Sequence, residues 1–455
     1  MPATHQEIAD LIARHAAPAP RYTSYPTAPH FSAAVNRDTY RRWLSELPPE
    51  ARLSLYMHVP FCDTLCWFCG CHTKITRQYA PVEAYLHALT HEIDTIGRLV
   101  PGQAAVRHIH WGGGSPTMLQ ARDILRLADA TREAFNLSSD CDFAVEIDPR
   151  GMDRDGINAL ADSGLTRVSL GVQDFDPAVQ AAINRIQTFE ETKAVVDAFR
   201  EKGVRSLNID AIYGLPGQHR SQVLATLAGV VQLRPDRIAL FGYAHVPWMK
   251  RHQTMIDEAT LPNAQDRFHD AQAAADFLVG EGYERIGLDH FALPHDDMAI
   301  AARRGTLQRN FQGYTVDPAD ALIGLGASSI GKLPMGYLQN EGGISNYQHE
   351  IAAHGIATVK GIVLTRDDEV RAFAIERLMC DMALSKSRLS QEFGSDAADV
   401  IAVIDTILRE DRDGLVAATR DGFRMTERGR PFMRTIATRF DAYLAKNAAR
   451  HSMAV

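Results

Sequence analysis

Apolar residues recur along the first half of the chain with a regular rhythm. Short, β-branched runs at 53–61, 106–114, 142–149, 167–174, 206–216 and 237–247 each end in polar or glycine-containing turns. Amphipathic stretches separate them, for example residues 82–100 and 124–135, where apolar positions return every three or four residues. Strand-like and helix-like segments in alternation predict a parallel sheet of βαβ units, either an open sheet or a partial barrel. In both, functional groups belong at the C-terminal ends of the strands. The residues at the ends of the six runs suit that rule: Cys62, Gly112–Ser115, Glu146, Gln173, Asp210 and Ala244. Glu146 and Asp210 stand in nearly apolar strands, where a charge is costly unless it has a partner.

The flanks read differently. Residues 1–50 form an N-terminal extension. A short polar leader ends in the Pro/Ala-rich stretch Ala16–Pro20, and Arg21–Phe31 is rich in proline and aromatics. That composition suits neither helix nor central strand and predicts an extended segment wrapped over the surface. Residues 51–360 hold the six βα units and a further α/β region. Residues 361–455 form a small helical domain. In it, Thr365 and Asp368 have capping-box spacing ahead of Val370, Phe373, Ala374 and Leu378. A second helix covers 399–411, and 414–429 reads as a hairpin turned at Asp421–Gly422. This pattern is winged-helix-like. It suggests DNA binding or a lid and packing module, and the lack of a basic recognition helix favours the second.

The chain has 455 residues and a formal charge of −8, so no basic excess points to nucleic acid as a partner. No run of eighteen apolar residues predicts a membrane span, and the N-terminus carries no secretory h-region, so a cytoplasmic protein is expected. Six cysteines in a chain this long do not make a disulfide scaffold. Cys141 and Cys380 stand alone and read as small buried apolar residues. The other four crowd into 62–71, and such crowding indicates metal or redox chemistry.

Cys62, Cys66 and Cys69 give C-x3-C-x2-C. Thiolates are the soft ligands of iron–sulfur clusters, and one short loop can wrap three corners of a cube. Three cysteines leave the fourth iron of a 4Fe-4S cluster open to a chelating ligand. Only Gly70 separates Cys71 from Cys69, so Cys71 reads as a neighbour of the cluster and not a ligand. A structural zinc site is the alternative, but it usually takes four ligands from two separated pairs. His58 and His72 flank the loop and read as hydrogen-bonded loop histidines.

This cysteine loop after a first strand, followed one βα unit later by GGGSPT, resembles the radical S-adenosylmethionine (SAM) superfamily. RYTSYPTA, CWFCGCHT, HWGGGSPT, VEIDPR, GVQDF, NIDAIYGLPGQ, YAHVP, DHFA and RNFQGYT follow in order. Together they resemble the oxygen-independent coproporphyrinogen III oxidase (coproporphyrinogen dehydrogenase) family over nearly the whole chain. The resemblance implies a partial (β/α)6 radical SAM barrel with an N-terminal extension and a helical C-terminal cover. It implies one 4Fe-4S cluster on Cys62, Cys66 and Cys69, and two SAM sites. Tyr56, Gly113, Glu146 and Ile330 would line the first. Phe68, Gly114, Ser115, Gln173, Arg185, Asp210 and Ala244 would line the second. Ser115 stands where threonine is common, and Trp67 where tyrosine is usual.

The implied reaction is oxidative decarboxylation of two propionates of coproporphyrinogen III to vinyls, giving protoporphyrinogen IX in anaerobic haem biosynthesis. Reductive cleavage of SAM would yield a 5′-deoxyadenosyl radical. The radical takes a hydrogen from the propionate β-carbon, carbon dioxide leaves, and one electron passes to an acceptor. No general acid–base residue is required. The implied partners are the tetrapyrrole and an unidentified electron donor and acceptor, and the chain is expected to act as a monomer. Four substrate carboxylates call for guanidinium groups, with Arg21, Arg303, Arg304 and Arg309 as candidates. The competing readings are a haem chaperone of the same fold and a radical SAM enzyme that modifies haem. Cys71, the N-terminal segment and RNFQGYT all favour the oxidase.

Overall fold

The computed structural model describes residues 5–444 and 453. The six apolar runs form strands β1 (Arg52–Val59), β2 (Ala105–Gly113), β3 (Asn136–Ile147), β4 (Arg167–Gln173), β5 (Ser206–Tyr213) and β6 (Arg237–Gly242). Each pairs in parallel with the next. Helices Ala80–Gly97, Ala121–Ala134, Arg154–Asp162, Phe189–Glu201 and Arg220–Gln232 make the crossovers, and Ala264–Gly280 follows β6. Their starts carry local signals. Asp153 accepts the Gly156 N–H, and Thr188 and Glu191 form a capping box. The core lies between these helices and the sheet, where Leu55, Met57, Val145, Leu170, Ile209 and Ile238 are buried.

The sheet is larger than the six runs. After β7 (Glu284–Ile286) and β8 (His290–Ala292), strands β9 (Ala321–Leu325), β10 (Ile330–Leu333), β11 (Gly336–Asn340) and β12 (Thr358–Val363) complete it. The order is β12-β11-β10-β9-β1-β2-β3-β4-β5-β6-β8-β7. β9 pairs with β1 in parallel, Leu53 opposite Ala321 and Met57 opposite Leu325. The region after residue 280 thus adds a seventh parallel strand beside β1 and antiparallel flanks at both edges.

The C-terminal region has its own core, built from Val370, Leu378, Leu389, Ile404, Phe423 and Phe440 among others. The helix Arg366–Asp381 starts with the expected Thr365–Asp368 capping box. The hairpin pairs Thr419 with Gly422, so its turn is Arg420–Asp421, one residue earlier than the sequence suggests. Gly422 lies in the strand, paired with Ser385 and Thr419, where the Leu384 carbonyl leaves no room for a Cβ. Asp421 instead accepts hydrogen bonds from Ser385 and Ser387.

The polar leader is a helix, His5–His15, with Leu11 packed on Leu415 and Phe432. Arg21–Phe31 contains no strand, only a 3-10 turn at Ala28–His30. Its rings are inward: Tyr22 and Tyr25 belong to the C-terminal core, and Phe31 stacks on Tyr337 of β11. Among the described residues no helix is long and apolar enough to cross a membrane.

Candidate active site at the C-terminal ends of the strands

The cysteine loop leaves β1 at Val59 and is pinned from both sides. On one side, the Gly114 N–H donates to the Val59 carbonyl (2.8 Å) and the Ser115 N–H to the Phe61 carbonyl (2.7 Å). On the other, Lys250, His252 and Gln253 donate to the carbonyls of Cys71 (2.9 Å), Cys69 (2.8 Å) and Phe68 (3.0 Å). Trp67 donates its N–H to Ile183 and, with Phe68, packs on Val179, Ile183 and Tyr243.

The three thiols have distinct surroundings. Cys62 accepts from the Thr73 hydroxyl (3.3 Å), and burial pushes its thiol up to about 11. The Cys66 sulfur lies 3.5 Å from a guanidinium nitrogen of Arg150 and 3.5 Å from one of Arg185. The Cys71 thiol and its N–H (3.4 Å) both point at the Cys69 sulfur, drawing that thiol down to about 6. Among the described residues no three His, Cys, Asp or Glu side chains gather about a single-ion centre. A tetrahedral zinc site holds its ligands within about 2.3 Å of one ion, whereas a cube spreads its thiolates over separate irons. Three soft thiols on one anchored loop, faced by two guanidiniums, fit a cluster bearing net negative charge.

The glycine turn is shaped by its protein neighbours. A Cβ at Gly113 (φ +112°) would stand 2.5 Å from the His58 ring, and one at Gly114 would stand 2.6 Å from the Phe61 backbone. Close approach of His58 and Phe61 thus demands glycine at both positions. Glu146, on β3, accepts from the Gly113 N–H (3.2 Å) and meets His110 Nε2 (3.1 Å). Burial would raise its carboxyl, but these donors outweigh burial and hold it below the usual range. Tyr56 donates to His58 Nδ1 (3.0 Å), because His58 Nε2 is spent donating to the His72 carbonyl (2.9 Å). Burial lowers His58 to about 4, so the ring is neutral at ordinary pH.

The remaining predicted residues ring the same mouth. Gln173 ends β4 with φ 71°, a left-handed backbone rare for a non-glycine. Arg185 is buried and clamps Asp148 through two hydrogen bonds of 3.1 Å while donating to the Gly171 carbonyl (2.6 Å). Asp210, on β5, accepts from Asn208 (2.7 Å) and Ser169 (3.2 Å). Its carboxyl is pushed up to about 6, first by burial and then by the charge of Glu146. Ser115 is buried. Ala244 lies on the loop after β6, and Ile330 opens β10 beside β9. Of the arginines proposed for substrate, Arg303 is exposed and paired with Glu284, and Arg304 is exposed. Arg309 lies over the Tyr314 ring and donates to the Arg21 carbonyl (3.2 Å).

Residues 56–228 match the model of the radical SAM superfamily, and 364–432 match the HemN C-terminal domain. The oxygen-independent coproporphyrinogen III oxidase of Bradyrhizobium diazoefficiens is 46% identical over 96% of this chain and 97% of its own. That of Escherichia coli K12 is 40% identical over 96% of both chains. The chain belongs to the oxygen-independent coproporphyrinogen III oxidase family. The solved structure of coproporphyrinogen III oxidase (HemN) from Escherichia coli, described as a radical SAM enzyme, superposes with a TM-score of 0.89. That match is 40% identical and covers 93% of this chain and 98% of the other. The family's C-terminal domain model falls on the winged-helix-like region.

Several neighbours of the cysteine loop carry no signal strong enough to mark them in the sequence. Arg150 stands at the Cys66 sulfur and pairs with Asp148; VEIDPR contains both, and its charge run Asp-Pro-Arg is the available signal. Lys250, His252 and Gln253 brace the cysteine loop from about 180 residues away, and no local pattern marks them. Glu92 is fully buried on a crossover helix and accepts from Gly326, Asn340 and Tyr347, each at 2.7 Å. It fixes the turn that leads into Ile330.

Proposed function

We propose that this chain converts coproporphyrinogen III to protoporphyrinogen IX without oxygen, decarboxylating two propionates to vinyls. The observation that carries the reading is the anchored C-x3-C-x2-C loop at the mouth of a parallel sheet, beside a Glu146 held ionised by Gly113 and His110. Cys62, Cys66 and Cys69 hold the 4Fe-4S cluster in this reading. Loaded with the cluster and SAM, the site supplies one-electron reductive cleavage and a radical able to take hydrogen from carbon.

The protein's own part is positioning and exclusion. Tyr56, Gly113, Glu146 and Ile330 line the first SAM, with the Glu146 carboxylate accepting from ribose hydroxyls. Phe68, Gly114, Ser115, Gln173, Arg185, Asp210 and Ala244 line the second. The neutral His58 fixes the Tyr56 hydroxyl without adding positive charge near the sulfonium. Arg150 and Arg185 face the Cys66 sulfur and offset thiolate charge. The enzyme works in the cytoplasm as a monomer, with a separate one-electron donor and an acceptor for the electron released at decarboxylation.

The test is anaerobic incubation of cluster-loaded protein with a reductant, SAM and coproporphyrinogen III. Protoporphyrinogen IX and two equivalents of carbon dioxide are expected. Unchanged substrate alongside tight haem binding would overturn the reading in favour of the chaperone.

A further inference from the structure

A cavity of about 550 Å³ lies beside the mouth and meets the ring of residues described so far at Ala244. Its walls come from the ends of β5 and β6, the helix Ala264–Gly280, the turn between β7 and β8, the N-terminal segment and the C-terminal domain. The volume falls in the range of roughly 300–1,000 Å³ that bound small molecules fill.

The charge in this cavity is one-sided. Four guanidinium groups line it, those of Arg21, Arg267, Arg285 and Arg434, against one carboxylate, Asp289. Asp289 is already engaged by His290 (2.8 Å). Arg21 donates to the Gly242 carbonyl (3.2 Å), and Arg434 to the carbonyls of Ala19 (3.0 Å) and Met453. Carbonyls orient these cations without neutralising them. Arg267 and Arg285 have no hydrogen bond or ion pair among the described residues, and the Nε atoms of Arg267, Arg285 and Arg434 are buried without a partner. Burial, and then the nearby Arg430, lower Arg285 to about 10. Arg434 is buried and Arg267 and Arg285 are half-buried, and guanidiniums that face a cavity without a carboxylate in hydrogen-bond contact indicate an anionic ligand.

The rest of the wall is apolar and aromatic: Leu240, Trp248, Phe268, Leu288 and Phe291. A ligand with an apolar body and several carboxylates suits such a lining. The cavity also shares a wall with the site, because Tyr243, Ala244 and His245 line it. The same loop continues to His252 and Gln253, which brace the cysteines.

We propose that this cavity seats the tetrapyrrole, with Arg267 and Arg285 as direct partners of its propionate carboxylates and Arg21 and Arg434 closing the ring of charge. The assignment rests on the proposed function for the identity of the substrate. It replaces Arg303 and Arg304 as candidates and keeps Arg21.

The test uses cluster-loaded full-length protein and coproporphyrin III, the stable oxidised form, titrated by absorbance and by quenching of tryptophan emission. Arg267→Ala and Arg285→Ala should each weaken binding at least tenfold, while iron content and cluster absorbance report that the fold is kept. The uncharged tetramethyl ester should bind wild type and both variants alike. Trp248→Phe should remove a large part of the quenching, and this measurement decides the matter where an arginine variant loses its cluster. Wild-type affinity in both arginine variants, or full quenching in Trp248→Phe, overturns the assignment. Either result leaves the decarboxylation reading standing, since that reading is judged by product formation in the wild type.

Discussion

The carboxyl group of Glu146 lies against Gly112, its atoms 2.7–2.8 Å from where a Cβ at residue 112 would stand. Gly112→Ala therefore displaces Glu146 without touching a cysteine. One hydrogen bond to a charged group is worth about 1.5–3 kcal/mol, or roughly tenfold or more in affinity. Gly112→Ala and Glu146→Ala should each weaken SAM binding to about that extent, with iron content unchanged. Equilibrium binding at the wild-type level in both variants would refute the role of Glu146.

Cluster content separates the four cysteines. Cys71 reaches the site as a hydrogen-bond donor to Cys69, whereas the Cys66 sulfur is buried between two guanidiniums. Cys71→Ser should keep cluster absorbance and iron near the wild-type level after anaerobic reconstitution. Cys66→Ser should abolish both. Equal losses would sink the three-ligand assignment.

Asp210 makes SAM binding depend on pH. Its carboxyl, pushed up to about 6, is ionised above that pH and neutral below it. An ionised Asp210 attracts the cationic ligand, so affinity should fall as pH drops from 7 through about 6. Folding runs the other way. An unfolded aspartate titrates near 3.9, so the native state holds the extra proton between about 4 and 6, and this group's contribution to stability declines as pH rises through that window. Asp210→Asn should flatten the binding profile near pH 6. An unaltered profile in that variant would assign the dependence elsewhere.

Tyr25 tests whether the N-terminal segment is a lid or part of the fold. Its ring is 3% exposed within the C-terminal core, and its hydroxyl accepts the Ala442 N–H (2.9 Å). Replacing a buried aromatic by alanine costs about 3–5 kcal/mol. Tyr25→Ala should lower the denaturant midpoint of the C-terminal core by a corresponding amount, read by far-UV circular dichroism. A chain starting at residue 36 should lose that core's stability as well as tetrapyrrole binding, since Arg21 leaves with it. Unfolding that matches the full chain would mark the segment as a simple lid.

The six parallel strands were legible because each is a compact apolar run closed by a turn, and burial on both faces writes itself into local sequence. The three-cysteine loop was legible for the same reason, its chemistry lying within eight consecutive residues. Partners separated in sequence were not. The run that becomes β9 reads as apolar, but nothing local says that it pairs beside β1 and not beyond β6. Arg267 and Arg285 look like ordinary polar positions on a helix and a short strand. Only the packing of six separate segments turns them into a charged cavity wall. Glu92 likewise reads as the solvent face of a helix until Gly326, Asn340 and Tyr347 close over it.

The pairing of β1 with β9 has a consequence for how the protein is made. The strand that launches the cysteine loop acquires its second neighbour only from residues 321–325, nearly 270 positions further along the chain. On a ribosome, β1 through β6 emerge first and lie with one edge bare. Contacts of such long range carry the largest loop-closure cost and form late. The turn that positions Ile330 follows β9 directly, so the mouth is finished in the same event that seals the bare edge. Loading of iron and sulfide before that event would meet a loop already pinned by residues 114–115 and 250–253 but a mouth still lacking Ile330; loading after it meets the finished mouth.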